Sequence, residues 1–181
     1  AVSALASITL IAMAIRRSGF LRNTINTEHF HDTGKLMYGF MVFWAYVAFS
    51  QYFLIWYANM PEETHWFKEH FAGSWNSVAA FIAIGHFGIP FILFMSRNIK
   101  RKLNLHCLMA IWILFMHFVD LYWLIMPNID KQGIHITIGD VTNFLAIGGI
   151  YLAILLNRFK KYHLYPIRDP RVEDSIHFQN A

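Results

Sequence analysis

Asp120 and His117 stand one helical turn apart inside an apolar run of 22 residues, Leu105 to Met126. At i, i+3 a carboxylate and an imidazole share a helix face and can interact directly. Both can accept and release protons. An ionisable group at bilayer depth costs roughly 2.5–3.5 kcal/mol or more, and it usually has a task that repays the cost.

His86 carries a local signature, Gly85-His86-Phe87-Gly88-Ile89-Pro90. Pro90 supplies no N–H, so the His86 carbonyl loses its i+4 partner and a kink is expected there. Gly85 and Gly88 let a neighbouring helix or a flat ligand come close. Four chemistries fit these residues. Asp120, His117 and His86 could form a proton-conducting or proton-buffering layer. His86 or His117 could face a quinone carbonyl or hydroxyl. The two histidines could be axial ligands of a haem b. Finally, the polar groups could be interhelical hydrogen bonds that hold a bundle together with no chemistry.

The elements that must position them are apolar runs. Leu36 to Ala58, Val78 to Ser96, Leu105 to Met126 and Ile138 to Leu156 each approach or exceed the roughly 20 residues that cross a bilayer as helix. Hydrophobic residues make up 56% of the chain and charged residues 14%, below the roughly 25% of soluble domains. A shorter run, Ala1 to Ile15, reads as a helix entered partway along, not as a signal peptide. The expected fold is an all-α, polytopic bundle of four full transmembrane helices plus part of a fifth. The expected organisation is a membrane region over 1–156 and a polar tail over 157–181, the C-terminal part of a longer subunit.

Charge placement gives the expected topology. None of the 15 Lys and Arg residues lies inside an apolar run. Arg16, Arg17, Arg22 and Lys35 occupy the first loop, Arg97, Lys100, Arg101 and Lys102 the third, and Arg158, Lys160, Lys161, Arg168 and Arg171 the tail. The second loop carries Glu62, Glu63 and Glu69 against Lys68. This alternation places the basic loops and the C-terminus in the cytoplasm. The net charge of +4 is topological and gives no reason to expect a nucleic-acid partner. Trp56, Tyr57, Trp66, Tyr122 and Trp123 fall where interfacial aromatic belts are expected.

At a rise of 1.5 Å per residue, Ser50, Gln51, His86, His117 and Asp120 all fall roughly 9–14 Å below the outer boundary. Asp140, at the outer start of the last helix, would sit at the mouth of this layer. The inner half holds His106 and Cys107 and little else, which suits a half-pathway open outward. Cys107 is the only cysteine, so no cluster-binding or covalent-haem set is present. Glu28-His29-Phe30-His31-Asp32 has metal-ligand residue types but reads as a solvated interfacial turn. The tail, with Pro166 and Pro170, reads as extended.

The stretch from Gly34 to Thr64, GKLMYGFMVFWAYVAFSQYFLIWYANMPEET, preceded by Glu28, His31 and Asp32, resembles the F subunit of bacterial alternative complex III. The tail from Tyr165, YPIRDPRVEDSIHF, is similar to the ending of that subunit and its C-subunit paralogue. The resemblance implies an NrfD-like membrane subunit of a quinol:electron acceptor oxidoreductase in the bacterial inner membrane. It implies no cofactor in this chain, with menaquinol oxidation and iron–sulfur and haem c groups in neighbouring subunits. The implied partners are the paralogous C subunit, the other subunits and membrane lipids. The implied role is non-redox, in proton movement.

Overall fold

A computed structural model describes residues 1–131, 133–165 and 169–179. Among these residues every regular element is helical. Four helices are long and apolar enough to cross a membrane: Thr27–Ala58, Trp75–Met95, Leu103–Asn128 and Ile138–Lys161. The chain divides into two compact units, Ala1–Ile134 and His135–Gln179.

In the first unit, α1 (Val2–Arg17) packs along α7 (Leu103–Ile125) and α2 (Thr27–Ala58). A short α3 (Pro61–His70) follows in what the sequence presents as the second loop. The next span is composite: α4 (Trp75–Ile82), a π-helical segment (Ala83–Gly88) and α5 (Ile89–Met95). The third loop folds as α6 (Arg97–Arg101). A core of Val2, Ala6, Met37, Met41, Phe94, Met109, Ala110 and Ile113 joins α1, α2, α5 and α7. Trp75, Val78, Ile82 and Met116 form a second cluster, over which Trp44, Trp112 and Trp123 pack.

α2 starts nine residues before the apolar run, so the expected turn at Glu28-Asp32 is corrected to the helix's opening turns. Asn26 is the cause. Its side chain accepts the Glu28 and His29 N–H groups at 3.0 and 3.1 Å, and its own N–H donates to His29 Nδ1 at 3.2 Å. This reciprocal cap satisfies donors that a helix end otherwise leaves orphaned. Burial of Phe30 and His31 holds the turn against the bundle.

The expected kink at Pro90 takes the form of a π-turn. With no N–H at position 90, the ladder slips by one residue and the Ile89 N–H donates to the Ile84 carbonyl, an i to i+5 bond.

The second unit carries α8 (Ile138–Lys161), which has no buried residue. It runs five residues past the apolar stretch because Arg158, Lys160 and Lys161 sit favourably at the negative end of the helix dipole. The tail is not wholly extended, since Val172–Ile176 forms α9, a single short turn. Pro166 and Arg168 lie outside the described residues.

Large apolar side chains stay uncovered along α2 and α8, among them Phe43, Phe49, Tyr57, Phe144 and Ile147. A helix apolar on all sides belongs in a bilayer or against other transmembrane helices.

Candidate functional site

Three elements bring polar side chains to one place in the first unit: α2 supplies Trp44, the π-segment supplies His86, and α7 supplies His117 and Asp120. The Trp44 indole stacks on the His86 imidazole with ring centroids 4.2 Å apart and planes 7° from parallel. His117 meets the other histidine edge-on, centroids 6.2 Å apart at 80°. The Trp44 N–H is also the hydrogen-bond donor to the Asp120 carboxyl.

Local sequence explains why these groups meet. A Cβ at Gly85 would lie 2.7 Å from Met116 Cε and 2.9 Å from its Sδ, so glycine lets the π-segment close onto α7 without pushing the end of the Met116 side chain aside. The Gly85 carbonyl, freed by the π-turn's altered ladder, accepts the Trp112 indole N–H at 2.8 Å. His86 is buried and its ring donates to the Met116 carbonyl. Its Nδ1 is buried without a partner, so the donating nitrogen is Nε2. A neutral imidazole protonated on Nε2 presents a lone pair at Nδ1. The cluster therefore holds one buried, unprotonated ring nitrogen and one half-buried carboxyl, with the half-buried imidazole of His117 three residues before Asp120.

Direct pairing of His117 with Asp120 is corrected: no hydrogen bond or ion pair joins them. The partner of Asp120 comes instead from α2, as the Trp44 indole, and His117 turns its ring to the edge of His86. The Met116 carbonyl takes the Nε2 hydrogen of His86, and Trp44 covers one face of its ring. Among the described residues, no group of three His, Cys, Asp or Glu side chains could hold a metal ion.

Ser50 is half-buried and Gln51 exposed on α2, six and seven residues beyond Trp44. About 10 Å of helix separates them from the level at which α2 meets His86. Asp140 belongs to the second unit, where its carboxylate is engaged locally. Thr137 N and Oγ1 both donate to Asp140 Oδ2 at 2.8 Å, which closes the capping box at the start of α8.

Trp44 is the member of this cluster that sequence reasoning missed. The signal that would have found it is its level: counting along antiparallel helices from the Gly85–Met116 contact, not from the ends of the apolar runs, reaches Trp44.

Two further histidines are buried at the basic end of the unit. His31 and His106 have no hydrogen-bond partner on either ring nitrogen, and the His106 ring stands edge-on to Phe30 and Phe94 at 6.4 and 6.0 Å. His70 contrasts with both. Its Nδ1 lies 2.8 Å from the Trp66 carbonyl and its Nε2 3.3 Å from that of Leu124, so the ring sits between carbonyls of α3 and α7 and has a hydrogen-bond acceptor within reach of either nitrogen.

No protein-family model matches this chain, and no curated protein matches it.

Proposed function

We propose that this chain is a membrane-embedded, non-redox subunit of a respiratory quinol oxidoreductase of the alternative complex III type, and that Asp120, His86, His117 and Trp44 form its proton-handling site. The observation that carries the reading is the His86–Asp120 pair bridged by one indole. A lone pair at His86 Nδ1 and a carboxyl at Asp120 are two proton acceptors inside an apolar bundle, and Trp44 contacts both. The indole N–H occupies part of the carboxyl's capacity, and the remaining oxygen lone pairs are free to take a proton. His117, edge-on to His86, is the neighbour through which a proton would leave the pair.

The basic loops and the C-terminal tail face the cytoplasm in this reading, which places the cluster toward the outer half of the bilayer. The uncovered faces of α2 and α8 are where lipids, the paralogous C subunit and the other subunits lie. Menaquinol oxidation and the iron–sulfur and haem c groups belong to those neighbours.

A second reading, a scaffold with no proton chemistry, draws on the same Trp44 bond and on the local capping role of Asp140. Asp120→Asn in the assembled complex separates the two. The proton-handling reading requires assembly to remain complete on native gels while quinol-driven turnover or proton release falls at least about a hundredfold, the low end of the usual scale for a proton-transfer group. Full retention of both with normal assembly would leave the scaffold reading standing.

A further inference from the structure

Three arginines line one cavity at the basic end of the first unit. Arg16 and Arg17 come from the last turn of α1 and Arg22 from the loop after it, while Met13, Phe30 and Leu103 complete the lining of a space of about 310 Å³. The loop passes through two left-handed residues, Gly19 at φ 92° and Leu21 at φ 56°, and so returns Arg22 to the end of the helix it has just left.

None of the lining residues is acidic. Of the acids in the neighbouring turns, Glu28 pairs with Arg101 and Asp32 with Lys35, each at 3.2 Å. The Arg17 Nη2 donates to Asn104 Oδ1 at 2.8 Å, which anchors that guanidinium to α7. Arg16 lies 5.9 Å from the Phe30 ring centroid, and its Nη1 is buried with no hydrogen-bond partner. A buried cationic donor left unpaired is costly, and the cost is removed when an anion supplies oxygens to it.

We propose that this cavity binds a phosphate-bearing anion. Guanidinium forks match phosphate oxygens in geometry as well as charge, and three of them around one space exceed what a carboxylate ligand needs. Met13, Phe30 and Leu103 give the same space apolar walls at the end of a bundle of apolar helices. That combination suits the headgroup phosphate of an anionic phospholipid, with its acyl chains running along the uncovered helix faces. Free phosphate shares the headgroup chemistry without the apolar part.

The test uses the purified full-length protein, delipidated in neutral detergent and titrated with phosphatidylglycerol, phosphatidylcholine or inorganic phosphate, with bound lipid counted by native mass spectrometry. Phosphatidylglycerol should bind and phosphatidylcholine should not. Arg16→Gln/Arg22→Gln should weaken phosphatidylglycerol binding about tenfold or more. Arg22→Gln alone alters an exposed position and should give a smaller loss in the same direction, which covers the case in which the double variant does not fold. Displacement of the lipid by an equal concentration of inorganic phosphate would assign the cavity to soluble phosphate. Unchanged phosphatidylglycerol binding in both variants, or equal binding of phosphatidylcholine, would overturn the proposal.

Discussion

The Trp44 indole lies flat on the His86 imidazole, 4.2 Å from centroid to centroid, while its N–H serves the Asp120 carboxyl. One side chain on α2 thus touches the polar groups of two other elements. Those three elements are held close by two further features, glycine at position 85 and the π-turn before Pro90.

Trp44→Phe keeps a ring against His86 but removes the donor to Asp120. Loss of one hydrogen bond to a buried carboxyl should lower stability by about 1–3 kcal/mol, measured by thermal unfolding in detergent. Trp44→Leu should cost a further 0.5–1.5 kcal/mol or so for the lost stacking. Equal effects of the two variants would mean that the stacking contributes nothing.

Gly85→Ala forces a methyl group to within 2.7 Å of Met116 Cε. Met116 is fully buried, so its side chain has little room to withdraw and overpacking should cost about 1–3 kcal/mol. Shortening the neighbour makes room. The double variant Gly85→Ala/Met116→Ala should be less destabilised than the sum of the single variants. Strict additivity would place the cost elsewhere than in this contact.

Lys100 is held below the ordinary lysine range, first by burial and then by the charges of Lys35 and Arg97. The folded state therefore sheds this proton more readily than the unfolded chain. Its charge costs stability at neutral pH, and that cost disappears as pH rises through the lowered value. Lys100→Met keeps the methylene stem that packs over Gly34 and removes the charge. It should stabilise the fold at pH 7 by less than about 1 kcal/mol, given solvent screening, with the gain shrinking at alkaline pH. A loss of stability at pH 7 would contradict this account.

On α3, Glu69 accepts a hydrogen bond from Lys131, which holds its carboxyl below the ordinary glutamate range. A depressed carboxylate contributes stability above the unfolded value, about 4.3, and loses it as pH falls through the folded value. Lys131→Gln should therefore lower stability slightly at neutral pH, because exposed pairs contribute little, and the difference should vanish as pH falls below about 4.3, which flattens the acid side of the profile. Identical acid profiles for the two proteins would remove the pair from the account.

The spans were legible wherever burial in lipid sets the length of a run. Leu105 to Met126 became a helix over Leu103–Asn128, and Ile138 begins α8 as the run predicts. Polar beginnings were harder to read. The start of α2 is set by Asn26 and by the burial of Phe30 and His31, and neither shows in hydropathy. Pro90 announced a disturbed ladder, but whether it would become a kink or a π-turn depends on the close approach of Gly85 to α7. Asp120, His86 and His117 stood out because charged or titratable groups are rare in such runs, and all three reached the cluster. Trp44 did not stand out, because an aromatic residue in an apolar run reads as lipid-facing. Ser50 and Gln51 were placed by counting from the run's end, which assumes that helices of different length and tilt finish in one plane.

The central claim, that Asp120 handles protons during turnover, is tested most directly by redox-induced infrared difference spectroscopy of the assembled complex. A carboxyl C=O band that shifts in heavy water should appear in the wild-type difference spectrum and be missing from that of Asp120→Asn. Identical carboxyl regions in the two spectra would contradict the claim.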